Sequence, residues 1–183
     1  MSYKSLNTEF NSTDTHNRIK LPFVNQKKFI LLFIVSFGLY GIWWMFKAWE
    51  YYQRKEISDI LPAARAIFAI FFAYSLFQKI IKEAGHKSYS KSYDSSMLFI
   101  GIILLNLLVY LPEPFNLLSL LSCIAYLPAV NALNYVIDVD DVYARADHNS
   151  LSGRQRGLII IGGIMWILSI LGMYLMATGA LVE

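Results

Sequence analysis

Charge is scarce in this chain: Asp, Glu, Lys and Arg make up 16% of its 183 residues, against roughly 25% in a soluble globular domain. Cysteine is scarcer still. Cys123 stands alone inside an apolar stretch, which excludes an intramolecular disulfide and a cysteine-based metal framework. His16, His86 and His148 lie in three separate polar regions and have no metal-ligand spacing. The chain also lacks a phosphate-binding glycine loop, a nucleophile elbow and a dinucleotide fingerprint. These absences predict no metal, no cofactor and no enzymatic activity.

What fills the space is apolar. Hydrophobic residues account for 56% of the chain and aromatic residues for 15%, and the mean hydropathy is +0.45. Residues 157–177 (GLIIIGGIMWILSILGMYLMA) contain no Asp, Glu, Lys, Arg or His. At 1.5 Å per helical residue such a run reaches across a hydrocarbon core of about 30 Å. The pattern therefore predicts an all-α fold, a polytopic membrane helix bundle. It has five apolar segments, at about residues 29–46, 60–81, 97–111, 115–130 and 157–178. Residues 28–183 form one transmembrane helical domain, preceded by a polar tail, 1–27, read as disordered. Glu9 and Asp14 in that tail argue against an organellar presequence, and the bulky KAWEYYQRK after the first segment offers no signal-peptidase site.

The segments differ in strength. The first carries Gly38 and Gly41, which mark a kink or a close-packing spot, and then a belt of Tyr40, Trp43, Trp44, Trp49, Tyr51 and Tyr52 suited to headgroup level. The second contains eleven Ile, Leu and Phe residues, contributing about 4 to 5 kcal/mol toward insertion. Arg65 alone offsets about 3 kcal/mol of that if it is central, and Pro62, Gln78 and Lys79 oppose insertion further. If this segment lies in the interface, four segments span. The third and fourth are separated only by Pro112, Glu113 and Pro114, which cannot continue a helix and predict a helical hairpin.

Basic residues precede the third and fifth segments, whereas the PEP turn and the C-terminal tail carry none. By the positive-inside rule, that turn and the C-terminus face away from the cytoplasm. The front half is ambiguous. A spanning second segment strands Lys47, Arg54 and Lys55 outside, while an interfacial one exports Arg18, Lys20, Lys27 and Lys28.

Three stretches, FIVSFGLYGIWWMFKAW (33–49), LPAARAIFAIFFAYSLF (61–77) and LPEPFNLLSLLSCIAYLPAVNALN (111–134), resemble a family of small, functionally uncharacterised multi-pass bacterial inner-membrane proteins. That family has a similar first helix, a proline-aromatic-arginine-alanine motif and a late LP-hairpin region. Here Ala63 and Ala64 stand where it carries an aromatic pair. The resemblance implies a bacterial cytoplasmic membrane and supplies no activity.

The candidate site residues fall into three sets. Arg65, Lys79 and Lys82 are candidates for lipid-headgroup or anion contact, and Arg65 can equally snorkel to the interface. Asn106, Asn131 and Asn134 are candidates for polar contacts between helices. Ala66, Ala69 and Ala73, and Gly162, Ser169 and Gly172, form small-residue stripes that let helix backbones approach closely. The acidic run Asp138, Asp140, Asp141 and Asp147 lacks the glycine and glutamate of a calcium loop and reads as solvated. The net charge of +3 comes without any nucleic-acid motif.

The function expected is that of a non-enzymatic membrane protein acting through helix contacts, as an accessory, scaffold or envelope stress or defence component. Its partners are the lipid bilayer and either a second copy or another membrane protein. The alternatives are a small oligomeric channel or transporter and a lipid-headgroup-sensing or lipid-modifying protein. After cell rupture and ultracentrifugation the chain is expected in the membrane pellet and released only by detergent. Recovery of the native chain in the lipid-free supernatant would remove the membrane reading.

Overall fold

The computed structural model describes residues 19–21, 23–57, 59, 61–145 and 153–178. Residues 1–18 of the polar tail, with His16, and the stretch 146–152, with Asp147 and His148, lie outside the described residues. The fold is an all-α bundle with one small sheet: β1 (Ile19–Leu21), α1 (Gln26–Val35), α2 (Leu39–Glu56), α3 (Pro62–Ile67), α4 (Ala69–His86), α5 (Ser95–Leu107), α6 (Ser122–Asp138), β2 (Tyr143–Arg145) and α7 (Gly153–Ala177).

The first apolar segment forms two helices. Asn25 caps α1 by accepting from the Lys28 backbone N–H at 3.0 Å. The helix ends where Phe37 and Gly38 take positive φ values of 51° and 88°, a conformation that costs glycine little. Ser36 then joins the two helices: its hydroxyl donates to the Phe33 carbonyl at 3.2 Å and accepts from the Tyr40 N–H at 2.9 Å. A Cβ on Gly41 would stand 2.8 Å from the Phe33 ring, so glycine lets α2 fold back along α1. The Phe29 ring meets those of Tyr40 and Trp44 at centroid distances of 5.7 and 6.0 Å.

The second apolar segment is also divided. Pro62 starts α3 and Phe68, with ψ 40°, ends it. α3 runs beside α2, where the Arg65 guanidinium lies 4.3 Å from the Trp49 ring centroid. Ala69 and Ala73 then border a groove with Ile42 and Met45, nearer the Gly38 turn. Farther along α4, Lys79 bonds Glu56 at the opposite end of α2. The chain therefore rises along α2, reverses at Phe68 and descends again.

Asp94 caps α5 by accepting from the N–H groups of Ser96 and Met97 at 2.7 and 3.2 Å. After α5 come a 3-10 turn at Leu108–Tyr110, the double-proline turn and a second 3-10 stretch, Phe115–Leu121, leading into α6. α6 forms the centre of the bundle and packs on α1, α2, α4 and α5. Its Ala129, Val130, Ala132, Leu133, Val136 and Ile137 are wholly buried. The Tyr126 ring sits among Phe29, Phe33, Trp44 and Phe77.

Two helical stretches are long and apolar enough to cross a membrane, Phe115–Asp138 and Gln155–Met176. The first is largely buried within the bundle, and the second is almost wholly exposed. Its 25-residue helix α7, about 37 Å long, rests on α1. The Trp166 indole donates to the Ile34 carbonyl at 3.2 Å and stacks on Phe37 at 4.6 Å.

Part of the stretch expected to be a disordered tail has regular structure, Ile19–Leu21 forming β1. β1 pairs in parallel with β2, Ile19 opposite Tyr143, and Leu21, Phe23 and Val24 are buried. Burial of these three apolar residues offsets the entropy of ordering that part of the tail.

α7 approaches α1 closely at Gly162, where an added Cβ would lie 2.3 Å from the Val35 carbonyl oxygen. Gly162→Val is therefore expected to cost about 1 to 3 kcal/mol and to lower the thermal midpoint in detergent, followed by circular dichroism. Gly172→Val, where an added Cβ meets nothing within 4 Å, should leave that midpoint unchanged.

Candidate functional site

The sequence places its basic and acidic residues at helix ends, and the fold gathers several at one end of the bundle. Helix α2 brings Tyr51 and Lys55 there, one turn apart on the same face. Glu83 comes from the last turn of α4 and Lys87 from the residue that follows it. Asp140 lies just beyond α6.

Asp140 is the hub. Its Oδ2 accepts from Lys55 Nζ at 2.9 Å, from Lys87 Nζ at 3.0 Å and from the Tyr51 hydroxyl at 3.4 Å. Its Oδ1 accepts from the backbone N–H groups of Val142 and Tyr143 at 3.0 and 3.3 Å. Lys55 also pairs with Glu83 and donates to the Tyr51 oxygen at 3.0 Å. Lys87 donates to the Val136 carbonyl at 3.2 Å, and the Lys87 carbonyl accepts from Tyr135. Asp140 is only 7% exposed, in contrast to the solvated position expected for it, whereas Asp138 and Asp141 are exposed as expected. Burial pays off for the Asp140 carboxylate because both oxygens find donors; an unpaired buried charge would be expelled or neutralised.

Protonation follows from that arrangement. Burial alone raises the Asp140 carboxyl, but the hydrogen bonds from Lys55, Lys87 and the Val142 N–H, with the Lys55 charge, hold it well below the usual carboxylate range. Burial pulls the Lys55 ammonium down, and the hydrogen bonds to Glu83, Tyr51 and Asp140 outweigh that and hold it above the usual lysine range. Two carboxylates and two ammonium groups compensate one another. A carboxylate held so firmly ionised is a weak proton acceptor, so the cluster is suited to clamping helices together and poorly suited to general acid-base chemistry.

The residues singled out from the sequence are dispersed. Arg65 lies over Trp49 and also 5.3 Å from the Phe72 ring. Lys79 bonds Glu56 at 2.5 Å and sits 4.8 Å from the Tyr52 ring. Lys82 is exposed beside an open pocket of about 670 Å³ bordered by Tyr74, Gln78 and Asp94. Asn106 donates to the Ile102 carbonyl of its own helix at 2.9 Å. Asn131 donates to the Gln26 side chain at 3.3 Å and Asn134 to the Val24 carbonyl at 3.1 Å, both tying α6 to the start of α1. Ala66 and Ala73 are buried and Ala69 packs against the core. Gly162 meets α1, whereas Ser169 and Gly172 are half-buried farther along α7.

The Asp140 cluster escaped sequence reasoning because Lys55 and Asp140 stand 85 positions apart and no spacing rule joins them. Only the mixed signs at consecutive helix ends hinted at pairing.

Asp140→Ala leaves Lys55 and Lys87 without their shared partner and is expected to cost about 3 to 5 kcal/mol. Glu50→Ala removes an exposed-side pair with Lys47 and Arg54 on one helix and should cost about 1 kcal/mol or less. Thermal unfolding in mild detergent measures both. The Asp140 pKa is depressed in the fold, so its contribution is present above the ordinary carboxylate pKa of about 3.9 and is lost as pH falls toward the folded value. The midpoint should accordingly drop below about pH 4, and less steeply in Asp140→Asn.

No family model, no curated protein and no solved structure matches this chain.

Proposed function

We propose that this chain is a non-enzymatic integral membrane protein that acts through helix contacts, as an accessory or scaffold component of the bacterial cytoplasmic membrane. The observation that carries the reading is α7, a long apolar helix seated on α1 near Gly162 and Trp166 and exposed over nearly all its remaining surface. A soluble bundle does not leave such a surface in water. Lipid covers part of it, and the remainder is available to a second copy or to another membrane protein. In this reading the PEP turn and the C-terminus lie outside the cytoplasm, on the side that carries no basic residue.

The multi-pass inner-membrane family resembled by residues 33–49, 61–77 and 111–134 agrees with this location. The channel alternative draws less support, since Arg65 is engaged by Trp49 and Phe72 and Lys79 by Glu56. The lipid-headgroup alternative retains Lys82, exposed beside the pocket at the start of α5.

Solubilisation in mild detergent after crosslinking in intact cells tests the proposal. The chain is expected to migrate as a species larger than the monomer, either as an oligomer or joined to another membrane protein. Recovery as a monomer alone, with no crosslinked partner, would overturn the contact-based role.

A further inference from the structure

We propose that the first two apolar segments do not cross the membrane: each is a re-entrant helical hairpin that enters and leaves one leaflet from the basic face. The partner is the hydrocarbon of that leaflet, which ends at a collar of cations. This rests on the membrane reading above and fixes the front-half topology within it.

The first argument is depth. Counting from the turn at Gly38, the nearest cation is Lys28 on α1, ten residues away, and Lys47 on α2, nine residues away. On α4 the first is Lys79, eleven residues from Phe68. At 1.5 Å per residue all three distances are about 14 to 17 Å, close to half of a 30 Å hydrocarbon core. The tips themselves are apolar and exposed: Leu39 and Ile42 on one hairpin, Ile67, Phe68, Ile70 and Phe71 on the other. Arg65 is the one cation near a tip. Its guanidinium is laid on Trp49, which stands farther from the Gly38 turn than Lys47 does, so the charge is carried back toward the collar.

The second argument is the backbone of the tip. Non-helical chain survives at membrane depth only where its polar groups are satisfied without water. From Ser36 to Gly41 every N–H has an acceptor inside the hairpin: Leu32, Ile34, Phe33 and Ser36 carbonyls, then the Ser36 hydroxyl, then the Gly38 carbonyl. At the second tip the Phe68 N–H bonds the Ala64 carbonyl, and the Phe68 carbonyl accepts from Phe71 and Phe72.

The third argument is where the chain returns. β1, which leads into the first hairpin, pairs with β2 just beyond Asp140. Lys55, in the last turn of that hairpin's second helix, bonds Asp140 itself, and Lys87, which follows the second hairpin, bonds the same carboxylate. All three points therefore share one end of the bundle. With α6, α7 and the shorter apolar stretch Ser95–Tyr110 that begins with α5 as the crossing elements, none of the 16 Lys and Arg residues is placed on the far side, which removes the conflict between the two loop-charge assignments.

Single cysteines in the full-length chain, labelled in bacterial spheroplasts with a membrane-impermeant maleimide before and after lysis, test the inference. Cys123, the native cysteine, is replaced by Ser in every variant, so that each carries one thiol. Lys27→Cys, Ile57→Cys and Lys91→Cys are expected to label only after lysis, and Thr178→Cys before it. Leu39→Cys and Phe71→Cys should resist the reagent in both conditions and react once detergent is added. Labelling of Ile57→Cys in intact spheroplasts, on the side opposite Lys27→Cys, would overturn the hairpins and restore crossing segments. Ready labelling of Leu39→Cys or Phe71→Cys in washed, lysed membranes would place the tips in water and overturn the inference while leaving membrane residence intact. A chain that washes off the membranes would instead remove the proposed function.

Discussion

One buried carboxylate holds the charged end of this bundle together. Asp140 uses one oxygen to gather Lys55 and Tyr51 from the end of α2 and Lys87 from the end of α4, and the other to turn the backbone into β2. Each partner alone would be a weak surface pair, because water screens exposed charges and long side chains lose entropy when held. Converging on a shielded carboxylate, they become a junction, and loss of the hub removes the charged partner shared by two ammonium groups, leaving Lys55 its pair with Glu83. The returns of α2 and α4 and the end of α6 are thereby held at a common level.

That junction gives the molecule its polarity. Ionic partners, the N-terminal strand and the basic collar lie at one end, while Leu39, Phe68, Phe71, Leu104 and Tyr110 face outward elsewhere. In water such an arrangement wastes apolar surface; in lipid it is the lower-energy one, since hydrocarbon accepts the exposed side chains and the N–H groups of the turn at Gly38 are bonded within the hairpin. The proposed one-leaflet hairpins and the exposed α7 both follow from the same separation of charged and apolar surface. The proposed role through contacts agrees with an ionic cluster whose members neutralise one another.

Much of the fold was legible along the chain. The double-proline turn between the third and fourth segments, the length of α7 and the suspicion of a break at Gly38 all rest on local rules: proline removes a donor, the uncharged run 157–177 suffices to span, and glycine tolerates positive φ. The small residues at Ala66, Ala73 and Gly162 were likewise visible by their spacing. The reversal at Phe68 was not, because nothing in IFAIFF distinguishes a straight helix from a bent one; α3 is turned by packing against Trp49. Nor was the strand at Ile19, whose partner lies more than a hundred residues away.

By itself the sequence determined the helical content and the long apolar runs, because run length and the demand for satisfied backbone groups are properties of consecutive residues. Tertiary structure alone decided which helix ends share a face, that Asp140 is buried and not solvated, and that the first two segments turn back. These depend on pairings between residues 85 and 53 positions apart, and a charge has no preferred partner until the fold brings one within reach.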